Sequence, residues 1–207
     1  MDLSVTKINS LEGIDQLSKL KKLNLNSCDN LTSQEFEKLA NHPTLEDLSL
    51  GGISITDLDF IKTFPNLKAL ILNRCPNLNN TEINKLGEVK TLKELYIGNS
   101  NITSLNFVTN LKDLEAINLS NCKQIPEQEF EKLLNLTKLN YINISDIELS
   151  DKAIQTFATL KPLNPKLNIV ASEENLTKIN KEIDNVKNSF AFKEKQKEIN
   201  KNNEVTK

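Results

Sequence analysis

The chain has 207 residues, enough for one sizeable core, with 38% hydrophobic residues and a formal charge of −2. That near-balance excludes the basic footprint of a nucleic-acid binder, and no run approaches the roughly 18 apolar residues of a membrane span. The opening Met1-Asp-Leu-Ser-Val-Thr-Lys7 has neither a basic n-region nor a continuous apolar h-region, so no secretory signal peptide is expected.

Taken in chain order, the sequence is a repeat. Leu20-Lys-Lys-Leu23-Asn-Leu25-Asn-Ser-Cys28 recurs as Leu67-Lys-Ala-Leu70-Ile-Leu72-Asn-Arg-Cys75 and as Leu114-Glu-Ala-Ile117-Asn-Leu119-Ser-Asn-Cys122. Shorter units lie between them, such as Leu45-Glu-Asp-Leu48-Ser-Leu50 and Leu92-Lys-Glu-Leu95-Tyr-Ile97, then Leu139-Asn-Tyr-Ile142-Asn-Ile144. From Leu23 through Leu48, Leu70, Leu95 and Ile117 to Ile142 the steps run 25, 22, 25, 22, 25, so the true unit is a pair. Met1 falls in the phase of Leu48, and Met1 to Val5 is expected to form a first strand with one open edge.

The pattern L-x-x-L-x-L-x-x-N/C is that of leucine-rich repeats. The long units resemble the cysteine-containing class known from F-box substrate receptors and relatives of ribonuclease inhibitor. The short units resemble the 22-residue class of internalins, in which an Asn closes the strand turn. Thr6, Ile53, Ser100 and Ile147 fill that slot here, which predicts loss of the usual Asn ladder and an apolar substitute. The resemblance covers residues 1–171. It implies an α/β fold, a right-handed solenoid or horseshoe with a parallel sheet on its concave face. Helices or 3-10 turns form the convex face, and stacked turns share one core of Leu, Ile and Phe.

Return segments after each cysteine read as helical. Thr32-Ser-Gln-Glu35 has the form of a capping box, with Phe36 and Leu39 at helical spacing behind it. Segments after the short units, such as Thr56 to Phe64, suit 3-10 turns. A longer helix is predicted over Asp151–Leu160, then a last strand around Lys166–Val170. Leu176, Ile179, Ile183, Val186 and Phe190 are spaced 3, 4, 3 and 4, and Ser172 is placed to cap a helix over 172–192. Such a helix would close the open end of the last repeat; the other reading is a short coiled coil. Residues 193–207 are Lys, Glu, Gln and Asn with little to bury, and are expected to be disordered.

Nothing in the pattern suggests catalysis. His42, the single histidine, sits before Pro43 and reads as a loop residue. Asp57, Asp59, Glu127 and Glu129 fall on return segments, where a solvated face is expected. The three cysteines recur in alternate strands, about 10 Å apart, too far for a disulfide or a shared zinc. They read as buried thiols and suggest a reducing compartment. No enzyme activity, cofactor or metal site is expected.

Alternating strand residues define two columns on the concave face. One runs Lys22, Asp47, Ala69, Glu94, Ala116, Tyr141, Lys166; the other runs Asn24, Ser49, Ile71, Tyr96, Asn118, Asn143, Asn168. Both tyrosines lie on this face, and Arg74, the only arginine, follows it. The expected partner-binding residues are Tyr96, Tyr141, Ile71, Ala69, Arg74, Glu94, Asp47 and Asn118. The expected function is a cytoplasmic protein-interaction module without nucleic-acid or membrane partners: a scaffold, an adaptor, or a bacterial effector delivered into a host cell. The alternative is a structural repeat that self-assembles through its N-terminal strand or C-terminal helix. A monomer with weak self-association is the expected state.

Overall fold

The computed structural model describes residues 1–205, with side chains at all of these except 190, 191 and 202–205. Its centre is a seven-stranded parallel sheet in simple chain order. The strands are β1 (Lys22–Asn24), β2 (Asp47–Ser49), β3 (Ala69–Ile71), β4 (Glu94–Tyr96), β5 (Ala116–Asn118), β6 (Tyr141–Asn143) and β7 (Asn168–Val170). Each is three residues long, and hydrogen bonds to the neighbouring turn continue past it, as from the Ser27 amide to the Gly51 carbonyl at 2.8 Å. The middle residue of each points inward, and Leu23, Leu48, Leu70, Leu95, Ile117 and Ile142 form one continuous buried ladder. Three residues beyond each of β1 to β6 the chain turns through a left-handed residue: Ser27, Gly52, Arg74, Asn99, Asn121 and Asp146, with φ between 55° and 75°. That turn sends the chain off the sheet towards the convex side.

Helical pieces build the convex face. They are α1 (Ser33–Phe36) and α2 (Asn80–Asn84), each running into a 3-10 turn, a 3-10 helix over Glu127–Asn135, and short 3-10 turns after the intervening strands. Their phenylalanines enter the core: Phe36 stacks on Phe60 at 5.7 Å between ring centroids, and Phe130 meets the Phe157 ring at 5.2 Å. Such pairs add about 0.5–1.5 kcal/mol beyond the area they bury.

Polar side chains fasten one turn to the next at the same 47-residue period. The Cys28, Cys75 and Cys122 thiols, all buried and unpaired, donate to the carbonyls of Leu3, Leu50 and Ile97 at 3.0, 3.2 and 3.4 Å. Beside them, in the slot vacated by Asn, Ile53 and Ile147 are buried, while the Ser100 hydroxyl lies 3.3 Å from the Cys122 sulfur. Asn26 and Asn73 take over part of the ladder at the strand ends, accepting from the Gly51 and Gly98 amides at 2.6 and 2.7 Å. A Cβ at Gly98 would lie 2.6 Å from the Ser120 hydroxyl, so a side chain here would have to displace that hydroxyl.

On the convex side, Glu35, Glu82 and Glu129 accept from the Leu11, Leu58 and Leu105 amides of the preceding turn at 2.7, 2.9 and 2.6 Å. Each is also bridged by the lysine three residues on, Lys38, Lys85 or Lys132. Two expectations are corrected here. The capping box at Thr32 does not form, because Glu35 reaches across to Leu11 and leaves the Thr32 backbone N–H alone. Glu129 does not belong to a solvated face either; its side chain is only 19% exposed and holds two turns together.

The two ends also differ from expectation. Met1 to Val5 does not make a full strand. Asp2 bridges Asn24, and the Leu3 and Val5 amides donate to Asn24 and Asn26 at 2.9 and 2.8 Å, before Val5 itself turns left-handed. At the far end α3 (Asp151–Leu163) runs three residues beyond its expected stop at Leu160, carrying Pro162 in its last turn. The register of β7 differs as well: Asn168, not Lys166, pairs with Tyr141, and Val170, not Asn168, pairs with Asn143.

The helix α4 (Glu173–Asn188) is capped by the Ser172 hydroxyl and packs on α3 through buried Ile179 and Val186. Phe190, the last residue of the predicted register, lies outside the described side chains. Helix α5 (Phe190–Val205) occupies most of the stretch expected to be disordered. Lys, Glu and Gln are good helix formers, and Lys195–Glu198 and Lys197–Glu194 pair at i,i+3, a propensity that a count of buried residues overlooks. Thr206 and Lys207, the end of that expected tail, lie outside the described residues.

His42 lies in a loop, as expected, and is buried there at 2% exposure. Its amide donates to Leu39, just as those of Leu17, Val89, Leu111 and Leu136 donate three residues back, so it fills an apolar slot of the repeat. Neither ring nitrogen has a hydrogen-bond partner among the described residues. A buried unsatisfied polar group costs about 1–3 kcal/mol. His42→Leu should therefore raise stability by about 1–2 kcal/mol, seen as a higher urea midpoint at unchanged slope. A lower midpoint would show that the imidazole has a stabilising partner.

Candidate functional site

The concave columns follow from strand geometry. With the middle residue of each strand inward, its two neighbours face the other way. Register confirms both columns through β6: Lys22, Asp47, Ala69, Glu94, Ala116 and Tyr141 lie side by side, as do Asn24, Ser49, Ile71, Tyr96, Asn118 and Asn143. A shallow groove of about 330 Å³ crosses β1 to β4, lined among others by Asp47, Ser49, Ala69, Ile71, Glu94 and Tyr96. Five of the eight expected residues therefore meet along this groove or its wall. Tyr141 and Asn118 lie on the same face further along, half-buried in β6 and β5. Arg74 is not brought into the groove. It sits exposed on the left-handed turn beyond β3, its amide donating to the Gly98 carbonyl at 3.0 Å.

Most charge near the face is neutralised within the chain. Lys22 bridges Asp47 across β1 and β2. One residue ahead of the strands, Glu46 is gripped by Lys21 and Lys68 at 2.7 and 2.6 Å, and Lys93 pairs with Glu115 at 2.7 Å. The hydrogen bonds from Lys21 and Lys68 hold the Glu46 carboxyl far below the usual range, at about 2. These rim pairs were not foreseen. Their signal was present, since Lys21, Glu46, Lys68, Lys93 and Glu115 occupy one repeat position with opposite charges next to each other in most steps.

Glu94 differs. Among the described residues it has no salt bridge, and its cross-strand neighbours on either side are Ala69 and Ala116. Among the described residues its one side-chain hydrogen bond is with Tyr96, whose hydroxyl donates to Glu94 Oε2 at 3.0 Å. Partial burial of the Tyr96 ring, with this hydrogen bond and the adjacent negative charge, pushes the phenol up to about 12. Among the described residues there is no group of three or more His, Cys, Asp or Glu side chains arranged to hold a metal ion. No described helix is long and apolar enough to cross a membrane.

No family model and no curated protein matches the sequence. Solved structures do. Internalin C2 of Listeria monocytogenes aligns with a TM-score of 0.67 at 22% identity, covering 86% of this chain and 75% of that one. The fold is that of a leucine-rich-repeat protein. A second internalin of the same species, InlF, aligns at a TM-score of 0.51 and 20% identity over 85% of this chain and 63% of its own. A leucine-rich-repeat protein of Leptospira interrogans gives 0.54 and 23% over 86% of this chain, which spans 52% of that protein. At these identities the likeness concerns the fold, and the repeats carry it.

The Tyr96–Glu94 pair can be tested by titration. In a Tyr141→Phe background, Tyr96 is the sole tyrosine, because the chain has two. Its phenolate should form near pH 12, read from ultraviolet absorbance, and Glu94→Gln should lower that midpoint towards the ordinary 10.0. Because the folded value is raised, its contribution to stability is complete below pH 10.0 and is lost as pH climbs towards about 12. A midpoint unmoved by Glu94→Gln would mean the hydroxyl points elsewhere.

Proposed function

We propose that this protein is a non-catalytic interaction module that binds a partner protein on its concave sheet face. The observation that supports this reading is the local apolar strip of Ala69, Ile71 and Tyr96 along a groove whose flanks are Asn, Ser and paired charges. An apolar centre with a polar rim is the usual anatomy of an interface. The ring of Tyr96 also offers contact area at low entropy cost, with two χ angles to fix. The solved neighbours support a repeat platform in general, and scaffold, adaptor and effector roles all use such a platform.

Affinity capture followed by a quantitative binding assay tests the reading. Tyr96→Ala with Tyr141→Ala should weaken partner binding by at least about 2 kcal/mol, roughly thirtyfold, with the fold retained by circular dichroism. Gln34→Ala with Glu37→Ala is the convex control, both residues being exposed on α1 and the turn behind it. Loss of binding in the control with none in the tyrosine pair would place the partner on the convex side or at an end.

One observation favours a second reading, self-association through the N-terminal end. Met1, Val5 and Leu17 are the exposed large hydrophobics among the described residues, and all belong to the first turns. Sedimentation should then show concentration-dependent association that Val5→Lys abolishes. A constant monomer mass across the concentration range removes this reading.

A further inference from the structure

Of the two carboxylates in the concave columns, Asp47 has a salt bridge and Glu94, among the described residues, has none; the Met1 ammonium lines the same groove and donates to the Lys22 carbonyl. Asp47 has Lys22 beside it, whereas Glu94 is flanked by two small side chains, the half-buried Ala69 and the buried Ala116. Tyr96, two residues on along β4, stands on the same face and fixes one carboxylate oxygen through its hydroxyl. Ile71, its neighbour in β3, continues the wall. The result is a notch with a carboxylate between two small side chains, an aromatic ring beside it and an apolar approach along Ala69 and Ile71.

Resting on the concave-face reading above, we propose that this notch receives a basic side chain, arginine foremost, from an extended segment of the partner protein. A carboxylate left without a cation on a face where its counterpart has one is complementary to a positive charge from outside. A guanidinium fits the arrangement better than a compact ammonium. Its planar fork donates to both oxygens of Glu94, and its face stacks on the Tyr96 ring. The aliphatic stem then lies along Ala69 and Ile71, removing apolar surface from water. An acidic side chain is repelled at the same place, so the notch selects as well as attracts.

The probe is a short capped peptide, acetyl-Ala-Leu-Arg-Leu-Ala-amide, compared with versions carrying citrulline or glutamate in place of arginine. Binding is followed by amide shifts of the labelled full chain. The arginine peptide should move the amides of Ala69, Glu94, Tyr96 and Ala116. Citrulline in the peptide, or Glu94→Gln in the protein, should each weaken binding about fivefold, as should raising salt to about 0.5 M. Glu94 is exposed, so the Gln variant keeps its fold, which an unchanged melting temperature confirms. Equal binding of the arginine and citrulline peptides, preference for the glutamate peptide, shifts confined to another surface, or no shifts at all would each overturn the proposal. None of these results touches the concave-face reading, which stands or falls on the tyrosine pair and its natural partner.

Discussion

Every feature of this protein depends on one constraint: no turn of the chain can bury its own apolar residues. A single unit offers a three-residue strand and a handful of Leu and Ile side chains, exposed above and below unless another unit stacks there. Repetition meets the constraint only if each unit returns to the same register. The inward ladder from Leu23 to Ile142 is unbroken because the 25- and 22-residue steps bring the chain back to the same point. The difference in length is absorbed on the convex side, where longer helical returns alternate with short 3-10 turns.

Stacking alone fixes proximity; directional contacts fix the angle. Three sets of polar groups recur at the double-repeat period: thiols on strand carbonyls, Asn side chains on strand-end amides, and Glu–Lys pairs on convex amides. The last set brings its charge with it. At Lys85, burial opposes the charged form, yet the carboxylates of Glu82, Asp59 and Asp57 raise its pKa all the same. Glu35, Glu82 and Glu129 each supply an acceptor to an amide that the short return would otherwise leave unpaired. A sheet pinned from both sides in this way presents its outer columns as a rigid surface, and rigid surfaces lose little entropy when something binds.

On that surface the paired charges and the unpaired one carry different information. Lys22–Asp47 and the rim around Glu46 are satisfied within the chain and are worth little to a visitor, since separating them costs what a new contact returns. Glu94 and Tyr96 are held ready by each other and by small neighbours. The contrast rests on which residue type happens to sit one strand away, a property of register that no single repeat displays.

The sequence by itself determined the fold, the strand positions through β6 and both outward columns, because period and alternation are linear signals that register translates directly into space. The inward course of the cysteines was legible for the same reason. Tertiary structure decided what depended on contacts between turns. Glu35 has the local form of a cap, but a backbone amide of the previous turn lies in reach and has no other partner. His42 has a loop address, yet the stack closes over it. The shift in β7 accompanies an α3 that runs on to Leu163, before Asn164 and Pro165 stop it. Arg74 left the candidate site because its backbone turns left-handed to exit the sheet. For Glu35 the amide that decides lies 24 residues back in sequence and directly adjacent in space, and only the folded stack brings the two together.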